Sequence, residues 1–207
     1  RAAHPTMVEV VLGLLDQLSI KKFSVCGHSY GATIAALIYF ERPSQVESLI
    51  FNGSHRIFQS PDETIKGFEK SYENAKSAIG DPSLETCRQR MGNVCYDPDT
   101  VPEEVLLIQL TSYSHPTMAG NYEKIARANM DLSLSRPYRC GDRIHEVSIP
   151  VLVISGKEDV RVPVADLEAG MTRLQDGKLV LVEKCGHMLQ TEHAGLFNKE
   201  ILQFLGS

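Results

Sequence analysis

No run of apolar residues approaches the roughly 20 needed to cross a bilayer, so no membrane-spanning segment is expected. No basic stripe exists either. Lys and Arg number 21 against 26 Asp and Glu, for a formal charge of −5 at pH 7, and they are scattered singly. A nucleic-acid partner needs clustered positive charge to neutralise phosphates, which this chain lacks. The five cysteines include no C-x-x-C pair and the histidines lack metal-ligand spacing, so no metal is expected. An odd cysteine count leaves at least one thiol unpaired, which fits a reducing compartment and leans toward the cytoplasm. Cys26 and Cys185 read as small buried apolar residues. Internal repeats and low-complexity segments are also missing.

What is present has the rhythm of an α/β domain. Its 207 residues, 43% hydrophobic and 23% charged, suit one domain with or without an insertion. Thr6 and Glu9 have capping-box spacing ahead of Val8, Val11, Leu12, Leu15 and Leu18, predicting an amphipathic helix over 7–18. Phe23 to Cys26 is a short strand-like run ending at Gly27. Residues 32–41 predict a buried helix stopped by Pro43, and Val46 to Phe51 a strand broken by Asn52-Gly53. Helix, strand, helix, strand is the order of a parallel sheet with crossover helices. Residues 54–143 then lose the strands. Helices are expected over 62–79 and 116–131, with mostly turns over 80–102. Past Pro150 the rhythm returns: a strand at Val151 to Ser155, a helix over 163–173 with Pro163 in its first turn, a strand at Leu179 to Val182, and a final amphipathic helix at Leu196 to Leu205. The expected division is therefore 1–53 (core, first part), 54–143 (helical lid) and 144–207 (core, second part).

Gly27-His28-Ser29-Tyr30-Gly31 is a G-x-S-x-G motif. Three fixed residues recur by chance in roughly one chain in fifteen of this length, so context decides. Here the motif lies between a strand and a helix, where a sharp turn needs glycine beside a strained serine. A serine hydroxyl is a weak nucleophile until a base takes its proton. His28 is adjacent, but neighbouring side chains at a strand end point apart, leaving it to fill the turn. His187 follows the last strand after Gly186, at the sheet end where Ser29 also lies. His4 and His193 read as surface or packing residues, whereas His55 and His115 could line a pocket. The base needs an acid to fix its tautomer. Asp159 and Glu158 both follow a strand end on that side, and Asn52 cannot ionise.

The order Ser29, Asp159, His187 resembles that of the α/β hydrolases. Three blocks carry the resemblance: Gly27 to Gly31; Ile149 to Asp159 with Pro163 following; and Gly186-His187 with Glu192 following. It covers residues 1–53 and about 144–207, and it favours Asp159 over Glu158 as the acid. It implies a cofactor-free serine hydrolase of small esters or related acyl compounds, carbon–carbon bond hydrolases included, with the Tyr30 N–H as one oxyanion donor. Haloalkane dehalogenases and related epoxide hydrolases place Asp where Ser29 stands, which argues against those reactions. The family also carries several strands and a second oxyanion donor ahead of the segment where this chain begins. The expectation is a longer protein of roughly 270–300 residues, whose N-terminal portion completes the sheet beside the Ser29 strand. Two other readings remain open on sequence: a ligand-binding, receptor-like module that keeps the triad, and an inactive truncated fragment.

Overall fold

A computed structural model describes residues 3–54 and 56–206. Helix α1 (Ala3–Gln17) leads into β1 (Phe23–His28), α2 (Tyr30–Glu41) and β2 (Val46–Asn52). The chain then runs through α3 (Pro61–Gly80), α4 (Leu84–Gly92), α5 (Glu103–Tyr113), α6 (Met118–Met130) and the short α7 (Leu132–Ser135). It returns to the sheet with β3 (Val151–Gly156), α8 (Val164–Met171) and β4 (Gly177–Val182), and ends in α9 (Leu189–Glu192) and α10 (Ala194–Leu205). The four strands are all parallel, in the order β1-β2-β3-β4.

A two-residue side-chain period divides the central strands between two cores. Leu49 and Phe51 of β2 and Val151 and Val153 of β3 join a cluster with Val8 and Leu12 of α1, the buried side of α2, and Leu167 of α8. The intervening Ile50, Leu152 and Ile154 face the other way, onto Phe197, Ile201 and Phe204 of α10. Both faces of the sheet are covered, which is why β3 is buried at every position and reads as an uninterrupted apolar run. Each of these large side chains contributes roughly 1.5–3 kcal/mol by leaving water.

Several expectations are corrected. Helix α1 runs through Thr6, so Thr6 and Glu9 are interior helical residues and no capping box forms there. The helix starts early because His4, one turn before Val8, is buried between the rings of Tyr30 and Tyr138. The stretch 80–102 is not mostly turns: α4 occupies it. Ser83 caps α4 by accepting from the Thr86 N–H (3.1 Å) while Thr86 Oγ1 accepts from the Ser83 N–H (3.0 Å). The Asp81-Pro82-Ser83 punctuation is therefore a helix start. Cys87 and Met91 of α4 pack with Val101 and Leu106 into a third cluster, which also explains the unforeseen α5. Pro163 is the N-cap of α8, one residue outside the helix. Cys185 is buried, but Cys26 is exposed, because β1 lies at the sheet edge. All five thiols are free. Between β2 and β3 no strand occurs among the described residues, and no described helix is long and apolar enough to cross a membrane.

Candidate active site

Parallel strands end on one side, and that side holds every residue singled out for chemistry. His28 aligns with Asn52, Asn52 with Ile154, and Gly156 with Val182. Ser29, Gly53, Asp159 and His187 follow these strand ends and meet above the sheet. Ser29 sits in the turn between β1 and α2 at φ 53°, ψ −116°. This backbone conformation is one that a non-glycine residue adopts at a cost of order 1–3 kcal/mol. It is held by the Ser29 N–H donating to the Asn52 carbonyl at 2.8 Å. Gly27 makes the turn sterically feasible, since a Cβ there would collide with the Gly31 carbonyl. Gly31 itself has open space and an ordinary φ, so only the first of the two glycines is sterically required.

Ser29, His187 and Asp159 form one hydrogen-bonded chain. His187 Nε2 lies 3.0 Å from Ser29 Oγ, and Nδ1 lies 2.7 Å from Asp159 Oδ2. With Nδ1–H donating to the carboxylate, Nε2 is free to accept the serine proton. His187 and Asp159 are only 4% and 5% exposed, so the bond between them is shielded from water. Asp159 Oδ1 accepts from the Arg161 N–H at 2.8 Å, which fixes the carboxylate plane. Glu158 is turned elsewhere, with Oε2 accepting from the Cys185 N–H at 3.0 Å.

His28 faces away from the Ser29 hydroxyl. Its Nε2–H donates to the His187 carbonyl at 2.9 Å, and burial pulls its pKa down to about 4. The neutral ring thus holds the backbone of His187. Gly53 (φ +54°) completes this contact, because a Cβ there would press on His187 and His28. The Tyr30 N–H opens the first turn of α2, among the N–H groups a helix leaves without an intrahelical partner. The remaining histidines lie apart: His115 is exposed between α5 and α6, where it meets Thr117, and His193 bonds the Lys184 carbonyl. His55 lies outside the described residues.

Glu192 has a role that only the structure reveals. Its carboxylate accepts from the N–H groups of Gly186 (3.1 Å) and Met188 (3.0 Å), on either side of His187, and from Tyr96 (2.7 Å) in the helical segment. The His187 N–H donates to the Val94 carbonyl at 2.7 Å. The loop carrying His187 is thus tied to the 94–96 turn by polar bonds. Also unforeseen are Arg56 and Arg161, which line a cavity of about 220 Å³ together with Ser29, His187, Gly53 and Ser54. A single charged residue after a strand carries no local signal of the cavity it will face. Phe68, Tyr72, Met91 and Tyr122 are packed within the helical segment or against the Ser29 turn.

Comparison with known proteins agrees with this architecture. The chain is 29% identical over 206 residues to a 2-hydroxy-6-oxononadienedioate/2-hydroxy-6-oxononatrienedioate hydrolase of Paraburkholderia phymatum, covering 95% of this chain and 67% of the relative. It is 28% identical over 207 residues to the hydrolase of that name from Burkholderia vietnamiensis, covering 95% and 66%. The chain thus spans about two thirds of the length of these relatives. Among solved structures, 2-hydroxy-6-oxo-6-phenylhexa-2,4-dienoate hydrolase from Rhodococcus sp. strain RHA1 superposes with a TM-score of 0.78 at 21% identity, over 99% of this chain and 71% of that one. The family model for the α/β hydrolase fold matches residues 2–194, and the chain belongs to that family.

Proposed function

We propose that this chain carries the nucleophile, base and acid of a serine hydrolase acting on a small ester or related acyl compound. The observation that carries this reading is the hydrogen-bonded chain Ser29–His187–Asp159, at 3.0 and 2.7 Å, opening on a cavity. Ser29 Oγ attacks the substrate carbonyl carbon while its proton passes to His187 Nε2. The tetrahedral oxyanion accepts from the Tyr30 N–H. Collapse breaks the bond to the leaving group, which takes the proton from His187, and leaves Ser29 acylated. Water then attacks the acyl carbon, giving its proton to His187, and Ser29 leaves with that proton restored. Asp159 holds the reactive tautomer and stabilises the imidazolium formed in both halves. Residues 54–143 act as a lid that covers the cavity and selects the substrate.

A second reading draws on the relatives, which are named as hydrolases of 2-hydroxy-6-oxo dienedioates. In that reading the attacked carbonyl is a ketone, the bond broken is carbon–carbon, and the proton from His187 goes to the departing carbon. Turnover of p-nitrophenyl esters and of a 2-hydroxy-6-oxo dienedioate by wild type and Ser29→Ala separates the two. Ser29→Ala is expected to lose at least about 10⁴-fold in kcat on the true substrate class. Unchanged turnover in that variant refutes the assignment of Ser29.

A further inference from the structure

The cavity beside Ser29 is positively charged in a chain that is negative overall. Its charged lining comprises Arg56, Lys66, Lys70 and Arg161 against Glu63 and Asp166, whereas the formal charge of the chain is −5. The two arginines are the unusual members. Arg56 has its guanidinium stacked 4.0 Å over the Phe68 ring, with Nη2 donating to the Gly67 carbonyl (3.2 Å) and Ser71 Oγ (3.0 Å). Its Nη1 is buried and has no partner among the described residues. Arg161 follows the acid by two positions, and its guanidinium makes no hydrogen bond or ion pair among the described residues. No carboxylate of the described residues lies within ion-pair distance of either guanidinium.

Such an arrangement is costly in the empty protein. Burial, with the repulsion of Arg161, lowers the Arg56 pKa to about 10; burial, with the repulsion of Arg90, lowers that of Arg161. Both groups remain charged at neutral pH. Asp159, whose charge favours the protonated Arg161, already serves His187. Buried guanidinium groups are ordinarily paired, and their planar fork of donors matches a carboxylate. Ser54, 2% exposed and with its hydroxyl unpartnered among the described residues, lines the same wall and adds a neutral donor.

We infer that Arg56 and Arg161 form an anion subsite of the Ser29 cavity, and that the substrate carries a carboxylate held there while its carbonyl is presented to Ser29. The inference rests on the reading of Ser29 as nucleophile. It assigns substrate selection to two residues on different elements, one after β2 and one after β3. A bound carboxylate relieves the mutual repulsion of the two cations, so its binding stabilises the folded protein as well.

Two matched pairs of esters test this, each differing only by removal of the charge. One pair is p-nitrophenyl hydrogen glutarate against p-nitrophenyl methyl glutarate, with the carboxylate in the acyl part. The other is 4-acetoxybenzoate against its methyl ester, with the carboxylate in the leaving group. In at least one pair the acid is expected to exceed its methyl ester by about 10- to 100-fold in kcat/KM, the worth of a hydrogen bond to a charged group. Arg161→Gln and Arg56→Met should each bring that ratio toward one while Ser29-dependent turnover of the neutral ester persists. Arg161→Gln, at the more open position, serves if Arg56→Met fails to fold. Ratios at or below one in both pairs, or a preference unchanged in Arg161→Gln, overturn the subsite. If no ester is turned over in a Ser29-dependent manner, the ester-hydrolase reading fails, and thermal stability decides the subsite alone. Glutarate should then raise the melting temperature of wild type but not of Arg161→Gln, and glutaramide should raise neither; no shift with glutarate overturns it.

Discussion

The sheet region (3–53 and 144–206) and the helical segment between them (54–143, with residue 55 outside the description) solve the burial of polar groups differently. In the sheet, backbone donors and acceptors pair along the ladder, and the central strands are apolar on both faces. In the helical segment, serines cap helices by bonding the N3 backbone; buried side-chain atoms without a partner among the described residues occur in both regions, at Arg56, Arg90, Asn129, Ser135 and Arg139 here and at His4, Asn52 and Ser155 in the sheet region. The first arrangement gives rigid positions for Ser29, Asp159 and His187. The second places Arg56, Ser135 and Arg139 on the walls of cavities beside the sheet. On the proposed function, the difference separates two properties: the geometry of Ser29, Asp159 and His187 is set by the sheet, and substrate choice would be set by the helices and their junctions.

The sharpest way to break this comparison is at the acid. Asp159→Asn should lower kcat by about 10⁴-fold on every substrate, since the wrong tautomer of His187 harms all of them equally. Glu158→Gln should stay within about tenfold, because its partner is the Cys185 N–H. An Asp159→Asn loss confined to one substrate would contradict the division. A smaller effect is expected at the seam between the regions. Glu192→Ala leaves the N–H groups of Gly186, Met188 and Tyr96 unpaired, at a cost of about 1–3 kcal/mol for each that stays buried. A lowered denaturation midpoint with reduced kcat is expected; an unchanged midpoint would mean that water replaces the carboxylate without loss.

The gentlest perturbation is pH. His4 and His28 are both held near pKa 4 by burial, below the ordinary 6.5. Their folded forms stay neutral while the unfolded chain takes up protons below about pH 6.5, so unfolding binds protons. Stability should therefore fall as the pH drops from 6.5 toward 4, by up to about 1.4 kcal/mol per pH unit for each group. His4 stacks on Tyr138 of the helical segment and meets Tyr30 of the Ser29 turn at a tilt, so acid strains this junction. His4→Phe should flatten the slope in denaturant unfolding measured across pH 4–7. A slope identical to wild type would remove His4 from the account.

Periodicity, turn residues and caps act over a few residues, and most of what depends on them was legible in the chain alone, the starts of α1 and α4 excepted. That includes the four strands, the helices that cross between them, the turn carrying Ser29, and the strand ends after which Asp159 and His187 follow. Tertiary structure decided what depends on residues far apart in sequence. It turned Glu158 to Cys185 and Asp159 to His187, gave His28 a carbonyl to hold, and made Glu192 a clamp between two loops. It exposed Cys26 by leaving β1 at the edge, and it packed Cys87, Met91, Val101 and Leu106 into a core that the turn-like composition of 80–102 concealed. It also brought Arg56 and Arg161 to one cavity wall. A charged side chain has no periodic signature of what it will face, because its partner is chosen by packing after the local elements have formed.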